Sequence, residues 1–237
     1  MTIKAVILAA GEGRRLRPLT LNKPKCLVSI AGKPLLAHWL DKCQAGGISE
    51  VFINGYYLAE QVSAFLKEIK DKYTMKINFR MEKKLSGTGG FIRQIYTEVK
   101  NDDFFFFCHG DNFTNLDIND FICFHKIRQA QLSMAMFETD NPSQCGIVEV
   151  ISTDGLIKVF KEKPEHSISN LASAAIFLMA PSVIESFPPH ESIDFSREVL
   201  PAWQGKMYGY KINGYNIDIG SPENLEKANR IIQERSL

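Results

Sequence analysis

The chain alternates between short runs that are apolar on both faces and longer stretches in which apolar residues recur every three or four positions. AVILAA (5–10) is of the first kind and predicts a strand buried in a parallel sheet with helices on each side. EVFING (50–55), MKINF (75–79) and FFFFC (104–108) repeat the pattern, the last as a strand buried on both faces. Between them, Leu35, Leu36, Trp39, Leu40 and Cys43 follow Pro34 with helical spacing. Val62, Phe65, Leu66 and Ile69 do the same, as do Phe91, Ile92, Ile95 and Val99. Strand and helix alternating over residues 1–130 predict right-handed βαβ units and an α/β fold with a doubly wound, Rossmann-like, mostly parallel sheet.

After Gln131 the texture changes. LSMAMFE, GIVEVI, LIKVFKE and ASAAIFLMA read as strands with fewer helices between them, an added β-rich part rather than more crossover units. YNIDIG then predicts a strand, and SPENLEKANRIIQERSL a closing helix with Ser221 as N-cap and Pro222 at its first position. The expectation is one continuous domain over residues 1–237, its halves 1–130 and 131–237, with no repeat and no hexapeptide pattern of a β-helix.

At 45% hydrophobic residues the chain has material for a full core. Its net charge of +1 provides no global field for nucleic acid or an anionic membrane, so anion recognition must be local. Five widely spaced cysteines without a C-x-x-C pair predict reduced thiols in a cytoplasm rather than disulfides or zinc. The run 5–10 is too short for a signal-peptide core, and nothing approaches the ~20 apolar residues of a membrane span.

The local anion site is visible in LAAGEGRRLRPLTLNKPKCL (8–27). Five cations, Arg14, Arg15, Arg17, Lys23 and Lys25, crowd into twelve positions directly after a glycine turn. Backbone N–H groups in such a turn approach an anion and the cations hold it, which suits a triphosphate. Leu16 stands where a dinucleotide fingerprint needs a third glycine, and arginines stand where a Walker A loop needs Gly-Lys-Ser/Thr. Pro18 and Pro24 block a continuing helix and predict an extended loop carrying Arg15, Lys23 and Lys25 over a site. A solvated basic strand-to-helix connection is the plainer alternative.

LAAGEGRRLRPLT followed by KPKCLV resembles the signature of the sugar-phosphate nucleotidyltransferases. The resemblance implies transfer of a nucleoside monophosphate from a nucleoside triphosphate to a sugar 1-phosphate, with release of pyrophosphate. It implies that Arg15 and Lys25 bind the triphosphate and stabilise charge at the reacting phosphorus, with Leu8, Ala9, Ala10, Gly11 and Gly13 against the nucleotide.

HGDN (109–112) puts Asp111 at a strand's carboxyl end, and IDIGSPE (217–223) puts Asp218 at another. Two such carboxylates with phosphate oxygens and water suit Mg²⁺, and the family's corresponding aspartates bind the catalytic metal. Singly, each aspartate also reads as a turn or cap residue. KLSGTGGF (84–91) resembles the family's base-binding loop, with Gly87 and Gly90 admitting the base edge and Glu82 and Thr88 nearby; a plain loop with a threonine cap is the alternative. VFKEKPE (159–165) resembles the family's F-x-E-K-P element, implying Glu162 on the sugar hydroxyls and Lys163 on the sugar phosphate, with Gly146 letting the sugar rest on backbone. Where many relatives read N-x-G-I-Y this chain has SAAIF, so Ser173 and Ala175 replace asparagine and glycine, and Ser173 offers one hydroxyl in place of an amide. His38, His109, His125, His166 and His190 form no catalytic set.

The implied chemistry is in-line attack of a sugar-phosphate oxygen on the α-phosphorus, without a protein base, by positioning and charge neutralisation. The texture is closest to bacterial guanylyltransferases acting on mannose or D-glycero-D-manno-heptose 1-phosphate, which supply cell-surface polysaccharides, as a monomer or homodimer. Uridylyl transfer to another sugar 1-phosphate, such as that of N-acetylmuramic acid, stays open, as does cytidylyl transfer to phosphocholine. A non-catalytic nucleotide-sugar sensor is a different class, against which Arg15, Lys25, Asp111 and Asp218 all stand.

Overall fold

The computed structural model describes residues 2–151, 154–167 and 169–235. Its first half runs β1 (Ile3–Leu8), a small hairpin of β2 (Ser29–Ile30) and β3 (Lys33–Pro34), α1 (Leu35–Ala45), β4 (Ile48–Gly55), α2 (Ala59–Ile69), β5 (Lys76–Met81), α3 (Gly87–Gln94), α4 (Tyr96–Val99), β6 (Phe105–His109), β7 (Asn112–Thr114) and α5 (Ile118–Ile127). The second half adds β8 (Leu132–Glu138), β9 (Gly146–Val150), β10 (Ile157–Glu162), β11 (Leu171–Met179), α6 (Ser182–Glu185), β12 (Tyr208–Lys211), β13 (Asn216–Asp218) and α7 (Pro222–Arg235). The last two positions of the expected closing helix, 236 and 237, lie outside the described residues.

β5, β4, β1 and β6 lie side by side in that order and all parallel, the arrangement the apolar runs predict. β11 pairs antiparallel with β6 and carries β8 and β9 in turn, so the second half extends the same sheet to nine strands among the described residues. β12 joins β8 in parallel and β10 closes the β9 edge, and only β10 and β11 run against the rest.

Alternation along the strands divides the core in two. Ala5, Ile7, Phe106 and Cys108 face α1, α2 and α5, while Val6, Phe105 and Phe107 face Phe91, Ile92 and Phe177 on the other side. Phe105, Phe106 and Phe107 are fully buried. Each such side chain contributes roughly 1.5–3 kcal/mol, which is why a run of four phenylalanines is a strand and not a solvent-facing tract.

Two local expectations are corrected. The helix expected over 91–99 breaks at Ile95, whose N–H bonds to Ile92 O at 3.2 Å as α3 tightens and ends; Ile95 and Val99 both stay buried. The loop after β1 is not extended: it folds into three 3₁₀ turns, Arg14–Leu16, Leu19–Leu21 and Lys25–Leu27. Leu16 and Thr20 are drawn into the interior, and Thr20 Oγ1 donates to Gly13 O at 2.7 Å, so apolar burial and a side-chain bond compact what the prolines merely keep from being an α-helix.

Candidate active site

Successive crossovers from β1 place β4 and β5 on one side of it, while β6 lies on the other. Open α/β sheets bind ligands beyond the strand ends at such a switch point. Here the space is a cavity of about 290 Å³. Leu8, Ala9, Ala10 and Gly11 line it after β1, His109, Gly110 and Asp111 after β6, and Asn54 and Glu82 at the exits of β4 and β5. Lys25, Cys26, Leu85, Gly87 and Thr88 complete the wall.

The charged end is built by two segments remote in sequence. β13 pairs antiparallel with β7 so that Asp218 lies opposite Asn112, and Ile219 N–H donates to Asp111 O at 2.8 Å. This brings Asp111 and Asp218 together. The turn after Pro24 delivers Lys25, whose Nζ donates to Asp111 Oδ2 at 2.7 Å and to Asp218 Oδ1 at 2.9 Å. Arg15 Nη2 donates to Asp218 Oδ2 at 3.0 Å, in a gap that exists because residue 220 is glycine: a Cβ there would stand 2.4 Å from that nitrogen. Asn224 Nδ2 holds the Asp218 carbonyl at 2.8 Å.

Burial works against the Lys25 ammonium, but Asp111 and Asp218 outweigh it and hold its pKa above the ordinary lysine value. Burial likewise opposes ionisation of Asp111, and Lys25 and then His109 overcome it, keeping that carboxyl below the usual range. Carboxylates that converge on one ammonium nitrogen also converge on the position a small hard cation would take. Among the described residues no group of three or more His, Cys, Asp or Glu is placed to hold a metal, and Asp111 and Asp218 are the two carboxylates that meet at the Lys25 nitrogen.

The five clustered cations divide their work. Arg14 and Arg17 lie 2.6 and 3.9 Å from Glu12, Arg15 and Lys25 serve the aspartates, and exposed Lys23 has no ion pair with a described residue. Gly13 takes φ +64°, a left-handed conformation that lets the turn close, and a Cβ there would press the Lys25 stem at 3.1 Å. Gly11 has nothing within 4 Å of an added Cβ and stays open to the cavity.

At the other end Glu82 is buried and engaged. Asn54 Nδ2 donates to its Oε1 at 2.7 Å, while Ser86 N–H, at 3.0 Å, and Ser86 Oγ both donate to Oε2. Asn54 Oδ1 in turn accepts from Ala9 N–H at 2.7 Å. Gly87 lines the cavity at φ +76°, and a Cβ on it would meet Ile193 O at 2.4 Å. Gly90 is packed against Glu191 O and Ser86, away from the cavity wall. Thr88 caps no helix of its own: the residue flanking α3 is Ser86, and Thr88 Oγ1 accepts from Phe195 N–H at 2.8 Å. Ser86 O and Gly89 N–H also bond Ile193, both at 2.9 Å, so the segment 191–195 backs Ser86 and the first turn of α3.

The residues expected on the sugar side lie beyond the cavity wall. Gly146 faces Glu162 across the β9–β10 pair, and a Cβ on it would collide with Glu162 Oε2 and the Phe160 ring at 2.8 Å. Glu162 is half-buried and its carboxylate makes no hydrogen bond with a described residue; burial pushes its pKa up against the pull of Lys163 and Arg197, with Asp194 adding to the rise. Lys163, exposed at φ +47°, donates its N–H to Cys145 O at 3.0 Å. Burial raises the Cys145 thiol against the opposing hydrogen bond with Thr139 Oγ1. Ser173 Oγ is turned to its own strand, accepting from Ala175 N–H at 3.2 Å.

Sequence reasoning missed Asn54, Asp194 and Arg197. Asn54 left one signal, a lone amide near the carboxyl end of an apolar strand. Asp194 and Arg197 sit at a π turn, Phe195–Val199, for which the sequence has no period.

The family model described as nucleotidyl transferase matches residues 4–235. Mannose-1-phosphate guanyltransferase beta-A of Xenopus laevis is 30% identical over 228 residues, 94% of this chain and 62% of that protein. Mannose-1-phosphate guanylyltransferase 1 of Arabidopsis thaliana is 32% identical over 225 residues, 93% of this chain and again 62% of the relative. The chain thus spans about three fifths of the length of these relatives. Among solved structures, HddC from Yersinia pseudotuberculosis complexed with GMP-PN matches with a TM-score of 0.82 at 25% identity, over 98% of this chain and 100% of that one. Apo UDP-glucose pyrophosphorylase, at 20% identity and a TM-score of 0.83, covers 100% of both chains and shares the fold.

Proposed function

The chain belongs to the nucleotidyl transferase family, and on that footing we propose that it transfers GMP from GTP to mannose 1-phosphate or D-glycero-D-manno-heptose 1-phosphate, releasing pyrophosphate. The observation that carries the reading is Lys25 Nζ held between Asp111 and Asp218 at the charged end of the strand-end cavity. Guanine is favoured because the cavity's base end presents a carboxylate, Glu82, which accepts only, and guanine's N1–H and N2–H₂ offer adjacent donors with no acceptor between them. The names of the relatives, and GMP-PN in HddC, support the same base.

In this reading the triphosphate lies along the backbone from Leu8 to Gly11, with Gly13 closing the turn behind it. Arg15 and Lys25 swing from the aspartates onto its phosphates and neutralise charge as the α-phosphorus is attacked. Asp111 and Asp218 fit Mg²⁺, which when bound would neutralise further phosphate charge. Lys163 holds the acceptor's phosphate and Glu162 its hydroxyls, with Gly146 leaving room for the ring and Ser173 a minor contact. A phosphate dianion is nucleophile enough, so no base is needed, and alignment supplies the rest of the acceleration. The reading takes residues 1–237 as one domain of a cytoplasmic enzyme; among the described residues no helix is long and apolar enough to cross a membrane.

Pyrophosphate release with Mg²⁺, across GTP, UTP, CTP, ATP and dTTP against mannose, heptose, glucose and N-acetylhexosamine 1-phosphates, tests this. Strong preference for GTP with mannose or heptose 1-phosphate is expected. Silence of folded protein with GTP and every acceptor would overturn it.

A further inference from the structure

Four groups form one buried chain of hydrogen bonds: Ala9 N–H to Asn54 Oδ1, Asn54 Nδ2 to Glu82 Oε1, and Ser86 N–H and Oγ to Glu82 Oε2. Asn54 is 4% exposed and Glu82 8%, so each polar atom must find its partner within this chain or in a ligand. The direction of the chain is fixed at both ends by donors. A backbone N–H can only donate, so the Asn54 oxygen faces Ala9 and its amide nitrogen is turned to Glu82. Ser86 N–H likewise fixes an oxygen at Oε2. Residue 82 therefore meets donors on both sides, a demand that a carboxylate satisfies and a glutamine does not.

We infer that Asn54 is the positioning residue for base selectivity, presenting Glu82 to the cavity as an acceptor with its spare capacity on Oε1. Oε2 already accepts two bonds and Oε1 one, and each carboxylate oxygen has two lone pairs. A base edge that sets a donor outermost, as guanine does with N2–H₂ beside N1–H, is welcomed there, and one that sets a carbonyl outermost, as uracil does on either side of N3–H, is turned away. This rests on the guanylyl reading above for the base, but the polarity of the chain follows from its donors alone.

The same logic identifies a compensated exchange. In Asn54→Asp with Glu82→Gln, the new carboxylate at position 54 would accept from Ala9 N–H and from the new amide at position 82, whose oxygen would accept from Ser86. Every bond is remade with one polarity reversed. The atom beside residue 54 becomes an N–H donor, suited to a uracil carbonyl rather than to guanine's N2–H₂. Each single substitution instead sets two acceptors or two donors against each other.

The test is a double-substitution cycle read by melting temperature and by calorimetric Kd for GTP and for UTP in the presence of Mg²⁺. Each single variant should melt roughly 5–10 °C lower, and the double variant should recover most of that loss. Its preference for GTP over UTP should fall by about 10- to 100-fold relative to wild type. A double variant no more stable than the singles, unfolded included, overturns the polarity argument. A GTP-selective wild type whose recovered double variant keeps that selectivity overturns the role of Asn54 and leaves the guanylyl reading standing. A wild type that binds UTP as tightly as GTP overturns the guanine reading and, with it, the selectivity inferred here.

Discussion

Glu162 carries a half-buried carboxylate with no hydrogen bond to a described residue, raised in pKa first by burial and further by Asp194. Because the folded value lies above the unfolded one, the stability tied to it is present below the ordinary carboxylate range and is lost as pH rises through the folded value. Glu162→Gln should therefore melt higher than wild type near about pH 8 and no higher near about pH 4, while use of the sugar phosphate is impaired. Melting curves at the two pH values with acceptor KM check this; a variant less stable at the higher pH would refute it. Arg15, Lys25, Asp111 and Asp218 are legible in the sequence through the family signature they share rather than singly, since each aspartate alone also reads as a turn or cap residue, and the structure brings the four side chains together. Asn54 could not, since its partners Ala9 and Glu82 are far from it along the chain. Lys23, expected over the site, is exposed on the stretch between two 3₁₀ turns and has no ion pair with a described residue.

At the scale of an element, β11 shows what a strand pattern conceals. ASAAIFLMA reads as a plain buried run, and the pairing with β8 is regular until the register shifts between Ser173 and Phe177. Within the shift Ala175 takes φ +53°, a left-handed conformation costing a non-glycine residue about 1–2 kcal/mol, with Ser173 Oγ bonded to its N–H. Ala175→Gly should therefore leave stability within about 0.5 kcal/mol of wild type, strain relief offsetting the entropy of glycine. Buried Ala174→Gly, at a residue that does not share the positive φ, should cost about 1 kcal/mol or more. Denaturant unfolding of the pair decides it, and equal losses would mean that the bulge stores no strain. Most strands were legible because burial on two faces leaves an uninterrupted apolar run. The break at Ile95 was not, because a tightening of backbone bonds leaves the spacing of Ile92, Ile95 and Val99 intact.

Across the whole molecule, the division of texture near residue 130 does not coincide with a division of structure. β6 is covered on its far edge by β11, the aspartate pair draws one member from each half, and the 191–195 segment backs the start of α3. A fragment of residues 1–130 should therefore fail to bind GTP with Mg²⁺ and should self-associate through the uncovered edge of β6. Calorimetry and size-exclusion chromatography would show this, and a monomeric fragment with intact affinity would contradict it. The hydrogen bonds from Ile193 N–H to Ser86 O, from Gly89 N–H to Ile193 O and from Phe195 N–H to Thr88 Oγ1 have a consequence for descent as well as for folding. Recombination near the middle of such a gene would take the segment 86–90 from one parent and its backing from the other. Two of the three bonds between them are backbone to backbone and would be remade in any chimera, so the exchange of halves hinges on whether residue 88 keeps the hydroxyl that accepts from Phe195 N–H.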